Sequence, residues 1–154
     1  GHFANNIAVD SLQFTSTAQQ HHSRGQFKKN GKQLMFEVSV ATSFHAIHAV
    51  TIAGVEETPH EHDWKVVASV QGDKLDEDGL LVDFLDLQRR LEEIVAPLLN
   101  ADLNQCPEMN GQNPTAEHVA WYIAKQLQDN VIAPTILSSV RVTEAPNCIA
   151  TYRP

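Results

Sequence analysis

The sequence predicts an α+β fold: a four-stranded antiparallel sheet with two helices on one face, in the order ββααββ. Three observations predict it. Residues 34–71 hold two long stretches of apolar and polar alternation, residues 84–98 and 115–127 repeat apolar side chains at spacings of three and four, and alternation returns over 139–152. Strands on either side of a helical middle point to α+β rather than to a parallel doubly wound sheet. At 154 residues the chain is one domain long, and a core of that size needs neither disulfides nor a structural metal to fold.

Residues 1–34 read as a polar N-terminal extension and residues 35–154 as a single domain. The extension is rich in Gln, Ser, His and Asn, and Gly25 and Gly31 break it. Arg24, Lys28, Lys29 and Lys32 face only Asp10 in charge, a net of +3, so the other 120 residues carry −11 towards the total of −8. A loose hairpin is the most order this composition suggests. Beyond it, Phe36, Val38, Val40, Phe44 and Ala46 share one parity and Glu37, Ser39, Ser43 and His45 the other, which makes a half-buried strand. His60, His62, Trp64, Val66, Ala68 and Val70 alternate in the same way with Glu61, Asp63, Lys65, Ser69 and Gln71, so the two runs pair as a hairpin across residues 50–59. Gly72 to Gly79, with four acids and one Lys, reads as a solvated turn.

Phe84, Leu87, Leu91, Ile94 and Leu98 then form an amphipathic stripe, with Asp83 as N-cap and Pro97 at its fraying end. Residues 100–114 are rich in Asn, Gln, Gly and Pro and read as loop. Thr115 caps a second helix through Val119, Ile123 and Leu127, which Pro134 closes off. Val140, Val142 and Glu144 share one face of a third strand, with Ser139, Arg141 and Thr143 on the other. Pro146 and Asn147 turn the chain into a last strand, Ile149 to Tyr152.

Composition narrows the function. Eleven Lys and Arg against nineteen Asp and Glu argue against nucleic acid as partner, because that affinity comes from cations that displace counterions. Two Cys without CxxC spacing suit a reducing, cytoplasmic setting. No apolar run nears the ~20 residues of a membrane span, and the start lacks the apolar core of a signal peptide. What stands out is eight His in an acidic, cysteine-poor chain.

Parity sorts these histidines. His48 continues the parity of Phe44 and Ala46 and points inward, whereas His45 faces the other way. His60 and His62 emerge on one face about 7 Å apart along their strand, close enough to share a cation. His48 would complete a three-His site with an open position, which is the catalytic kind. The competing reading is a set of structural or exposed histidines. His118 reads as a surface or packing residue, and His2, His21 and His22 belong to the extension. Glu144 follows Val140 and Val142 onto the buried face and must find a donor: an internal Lys or Arg, or a ligand offering two N–H groups. Glu117, in the first turn of the second helix, suits the helix dipole.

The stretches Phe44-His-Ala-Ile-His48, His60-Glu-His62-Asp-Trp64-Lys-Val66, Gly79-Leu-Leu-Val-Asp-Phe84, Pro114-Thr-Ala-Glu117 and Val142-Thr-Glu144 resemble, in order and spacing, the 6-pyruvoyltetrahydropterin synthase and 6-carboxytetrahydropterin synthase family. The resemblance spans Met35 to Tyr152. It implies the tunnelling fold, a homohexamer built as a dimer of trimers with active sites between subunits, and lyase activity on 7,8-dihydroneopterin triphosphate or a close relative. It implies zinc on His48, His60 and His62, a pterin anchored by Glu144, and Thr115 and Glu117 beside the same pocket. Zinc would hold the hydroxyls of the substrate's side chain and ease developing alkoxide charge. Queuosine, folate and biopterin synthesis are the pathways such enzymes serve.

The departures matter as much. The family's base is a Cys in the loop before the paired histidines, yet residues 50–59 contain none, and Cys106 and Cys148 fall elsewhere. The Asp-His pair that assists it is replaced by Leu99 and Asn100, and the Gly between the paired histidines is Glu61. Carboxylates remain: Glu56 and Glu57, either solvated loop charges or a substitute base. A subgroup of the family uses a Glu for the Cys, placed nearer the HxH pair, where Thr58 stands here. Two functions follow, a zinc-dependent pterin lyase with a loop Glu as base, or a pterin- or purine-binding protein that keeps the metal and the anchor without turnover.

Overall fold

The computed structural model describes residues 35–131 and 134–154, and the backbone of three short strands at 13–15, 25–29 and 32–33. Two long strands organise it, β4 (Phe36–His48) and β7 (His60–Gly72). They pair antiparallel without a slip, from Phe36 opposite Gly72 to His48 opposite His60. Strand β10 (Ile136–Ala145) lies against β7, and β11 (Cys148–Tyr152) against β10, both antiparallel. Between β4 and β7 a ribbon of β5 (Thr51–Ile52) and β6 (Val55–Glu56) closes through Ala53 and Gly54. Both turn residues have positive φ, 51° and 80°, as the two-residue turn that matches strand twist requires.

The alternation became burial. Val40, Phe44, Trp64, Val66 and Val70 face the helices, and Glu37, Ser39, Ser43 and Glu61 do not. Helix α1 (Phe84–Val95) starts where Asp83 accepts a hydrogen bond from Leu85 N, and α2 (Ala116–Gln128) where Thr115 accepts one from His118 N. Leu87, Leu91 and Val95 of α1 and Val119, Ile123 and Leu127 of α2 complete the core. Each such side chain stabilises the fold by about 1.5–3 kcal/mol relative to exposure. Phe84, expected on this stripe, is 54% exposed: as the first helical residue its side chain leans back past the edge of the core.

The sheet differs from the expectation in one respect. It has five strands in the order β11-β10-β7-β4-β9, and it is mixed, because β9 (Ala101–Asp102) runs parallel to β4. Asn100, at φ 57°, turns the chain after α1, so that Asn100 N bonds His45 O at 2.7 Å and Leu103 N bonds Ile47 O at 2.9 Å. A two-residue strand has no alternation to read, so residues 100–114 looked like loop. They also bury Leu103, Cys106 and Met109. The element order is therefore not simply ββααββ, since β9 falls between the helices.

Part of the expected solvated turn is likewise ordered. Strand β8 (Lys74–Leu75) buries Leu75 and pairs antiparallel with β2 (Gly25–Lys29), which also pairs with β1 (Gln13–Thr15) and β3 (Lys32–Gln33). His2, His21 and His22 lie outside the described residues. No helix among the described residues is long and apolar enough to cross a membrane.

Candidate metal centre

The end of the β4–β7 hairpin carries the site. Register places His48 opposite His60 and Ala46 opposite His62, so period-two geometry sends all three imidazoles to the core side of the sheet. Ring centroids stand 4.7 Å apart for His48 and His60, 4.8 Å for His60 and His62, and 5.3 Å for His48 and His62. Trp64, fully buried, lies edge-on beneath His48 at 4.9 Å. Glu144 joins from β10. The ladder between β10 and β11 slips between Thr143 and Ala145, leaving Glu144 as the extra residue of a bulge, a device that re-aims a side chain. One donor atom each from His48, His60, His62 and Glu144 lies within 4.8 Å of the others.

Hydrogen bonds set which nitrogens face inward. His48 Nδ1 donates to Pro114 O at 2.8 Å, and His60 Nδ1 to Thr58 O at 2.9 Å. A carbonyl only accepts, so both rings carry a proton on Nδ1 and turn Nε2 to the centre. Burial holds the His62 imidazole below its ordinary pKa against the pull of Glu144, with His48 and His60 acting in the same direction as burial. Neutral histidine is the form that binds metal. His48 Nε2 and His62 Nε2 are buried without a hydrogen-bond partner, a costly arrangement unless something occupies the space between them. Three imidazoles and one carboxylate fit a divalent cation of the zinc type.

Two asparagines hold this corner, and sequence reasoning did not find them. Asn104 accepts from Ala49 N and donates to Ala49 O, both at 2.7 Å. Asn113 does the same for Thr51, both at 2.9 Å. Each thus clamps a peptide just beyond His48. Partners 55 and 62 residues apart leave no local pattern to read.

The other candidates fall around this centre. Glu57 N bonds Val50 O at 3.0 Å, closing the neck of the hairpin, and its carboxylate is near enough to raise the pKa of His62 slightly. Glu56 sits in β6 opposite Thr51, and both glutamates are exposed. Thr115 is occupied as the cap of α2, next to the Pro114 carbonyl that orients His48, and Glu117 is exposed in the first turn of α2. His118 stacks on Trp121 at 5.3 Å. Cys106 does not replace the absent thiol: burial and a 2.8 Å hydrogen bond to Glu108 push its pKa up, opposite to what a nucleophile or base needs.

A four-donor, histidine-rich group at one end of an α+β sheet defines a class: proteins with a group of side chains able to hold a divalent metal where the central strands end. The family model for 6-pyruvoyl tetrahydropterin synthase matches residues 37–154, and the chain belongs to that family. Among relatives, a protein of Archaeoglobus fulgidus provisionally named 6-carboxy-5,6,7,8-tetrahydropterin synthase is 32% identical over 92 residues, 60% of this chain and 76% of that one. The human 6-pyruvoyl tetrahydrobiopterin synthase is 34% identical over 96 residues, 61% of this chain and 66% of its own. Dihydroneopterin monophosphate aldolase of Pyrococcus furiosus is 33% identical over 89 residues, 58% and 72% of the two chains. Solved structures share the fold: the Caenorhabditis elegans 6-pyruvoyl tetrahydropterin synthase superposes with a TM-score of 0.69 at 19% identity, over 79% of this chain and 97% of that one. The Plasmodium vivax enzyme, solved with a catalytic glutamate replaced by alanine, gives 0.64 at 19% identity over 79% and 98%.

Proposed function

We propose that the protein is a zinc-dependent pterin lyase acting on 7,8-dihydroneopterin triphosphate or a close relative. The convergence of His48, His60, His62 and Glu144, with two orphaned Nε2 atoms at its centre, carries this reading. His48, His60 and His62 would hold the metal, which when bound supplies Lewis-acid stabilisation of charge on the substrate's oxygens. Glu144 offers two oxygens to the paired N–H groups of a pterin ring, a bidentate acceptor suited to that edge. Thr115 and Glu117, at the start of α2 beside the Pro114 carbonyl that holds His48, are the further residues we assign to the substrate's surroundings. Glu57 is the proton acceptor we favour over Glu56, because its carboxylate turns back to the hairpin neck, accepting from Val50 N at 3.4 Å, two residues from His48. A catalytic glutamate in the Plasmodium vivax relative supports a carboxylate in that role. The proposal extends to a cytoplasmic homohexamer with active sites between subunits.

Incubation of zinc-loaded protein with dihydroneopterin triphosphate, followed by chromatography of the pterins, tests the reading. Conversion that falls by about 10²-fold or more in Glu57→Gln, with Glu56→Gln near wild type, is the expected result. A second reading, pterin or purine binding without turnover, is favoured by Leu99, 53% exposed, and Asn100, whose backbone is tied to His45: neither side chain transfers protons near neutral pH. Binding without any conversion selects it, and neither binding nor conversion removes both.

A further inference from the structure

Glu144 stands where a fourth ligand would stand. Its Oε1 is 3.4 Å from His48 Nε2 and 3.4 Å from His62 Nε2. Charge-assisted hydrogen bonds of this kind run to about 2.7–2.9 Å, so these contacts are too long. His48, with Nδ1 committed to the Pro114 carbonyl, turns Nε2 towards the carboxylate with no hydrogen bond between them. The spacing matches something else. Two ligands on a tetrahedral centre with bonds of about 2.0–2.1 Å lie about 3.3–3.4 Å apart. Among the described residues the ion-pair partners of Glu144 are these two imidazoles alone, and no Lys or Arg of that set draws it elsewhere. The bulge at Thr143 and Ala145 brings it there, and its side chain stays 25% exposed.

We propose that Glu144 is the fourth protein ligand of the metal in the substrate-free protein, and that an incoming molecule with paired oxygen donors displaces it. The metal–carboxylate bond breaks as bonds to the incoming oxygens form, and the freed carboxylate turns to accept the N–H groups of the same molecule. The resting centre is therefore closed, and it opens only to a ligand that satisfies the metal and Glu144 together. This rests on the metal-dependent reading above for the metal and the ligand class, and adds the exchange.

Cobalt(II) in place of zinc, in the full chain, makes the centre visible. The wild-type cobalt protein is expected to keep its visible absorption unchanged up to millimolar thiocyanate, because no position is open, whereas Glu144→Gln shows a saturable spectral shift. Zinc affinity, measured by competition with a chromophoric chelator, falls roughly tenfold or more in Glu144→Gln at unchanged stoichiometry. A saturable thiocyanate shift in the wild type overturns the proposal, and so does wild-type affinity in Glu144→Gln. The wild-type titration decides the matter even if the variant does not fold. Failure of the underlying reading looks different: full zinc content in His48→Ala, or no metal uptake by the wild type, removes the centre itself.

Discussion

His45 and His48 lie three residues apart on one strand and have opposite chemistries. His48 is fully buried, with Nδ1 committed to a carbonyl. His45, on the other face, lies opposite Asp63 and donates from Nδ1 to Asp63 at 3.0 Å and from Nε2 to Glu61 at 3.1 Å. Both nitrogens face acceptors, so the imidazolium is favoured. The hydrogen bond to Asp63, then that to Glu61, raises its pKa above the ordinary 6.5. A raised value means that the contribution to stability is complete below pH 6.5 and is lost as pH rises through the folded-state value. NMR titration should put the His45 midpoint above 6.5 and bring it down in Asp63→Asn. A wild-type midpoint at or below 6.5 would rule out the clamp. Parity made this division legible, and with it the inward set of His48, His60, His62 and Glu144. Parity could not show that Glu144 reaches the same point as the histidines, because the bulge that aims it is a mismatch between two strands and leaves no mark on either.

Elements were legible wherever periodicity ran for several residues. The long hairpin, both helices, the Asp83 and Thr115 caps and the final strand pair all follow from pattern, since burial on one face imposes it. Short elements that depend on tertiary pairing were not: β9 is two residues held by His45 O and Ile47 O, and β8 is two residues paired with the extension. The corner after His48 depends on such contacts. Asn104 supplies both partners of the Ala49 peptide, and Ala49 itself is buried. Asn104→Ala leaves that N–H and C=O unpaired, at a cost of about 1–3 kcal/mol. It should lower the thermal midpoint and, by loosening the backbone that carries His48, weaken zinc binding about 10–100-fold. A midpoint within about 1 °C of wild type with unchanged zinc affinity would show that the clamp is incidental.

At the scale of the whole molecule the candidate metal centre and the fold are one construction. His48 and His60 close the long hairpin, His62 follows on β7, Glu144 comes from the third strand of the sheet and Pro114 from the entry to α2. Unfolding separates every one of these groups, so a metal bound there stabilises the folded chain by mass action. At a free zinc concentration one hundred times its dissociation constant the gain is about 2.7 kcal/mol. For a domain of this size that is a rise of roughly 5–11 °C in the unfolding midpoint. Calorimetry of zinc-loaded and chelator-stripped protein should show this shift, growing with the logarithm of free zinc. In His48→Ala the two midpoints should coincide, whatever that substitution does to stability by itself, because the linkage depends on binding and not on the starting value. If zinc leaves the wild-type midpoint unmoved, or moves His48→Ala equally, then the converging imidazoles are a packed polar cluster and not a metal site.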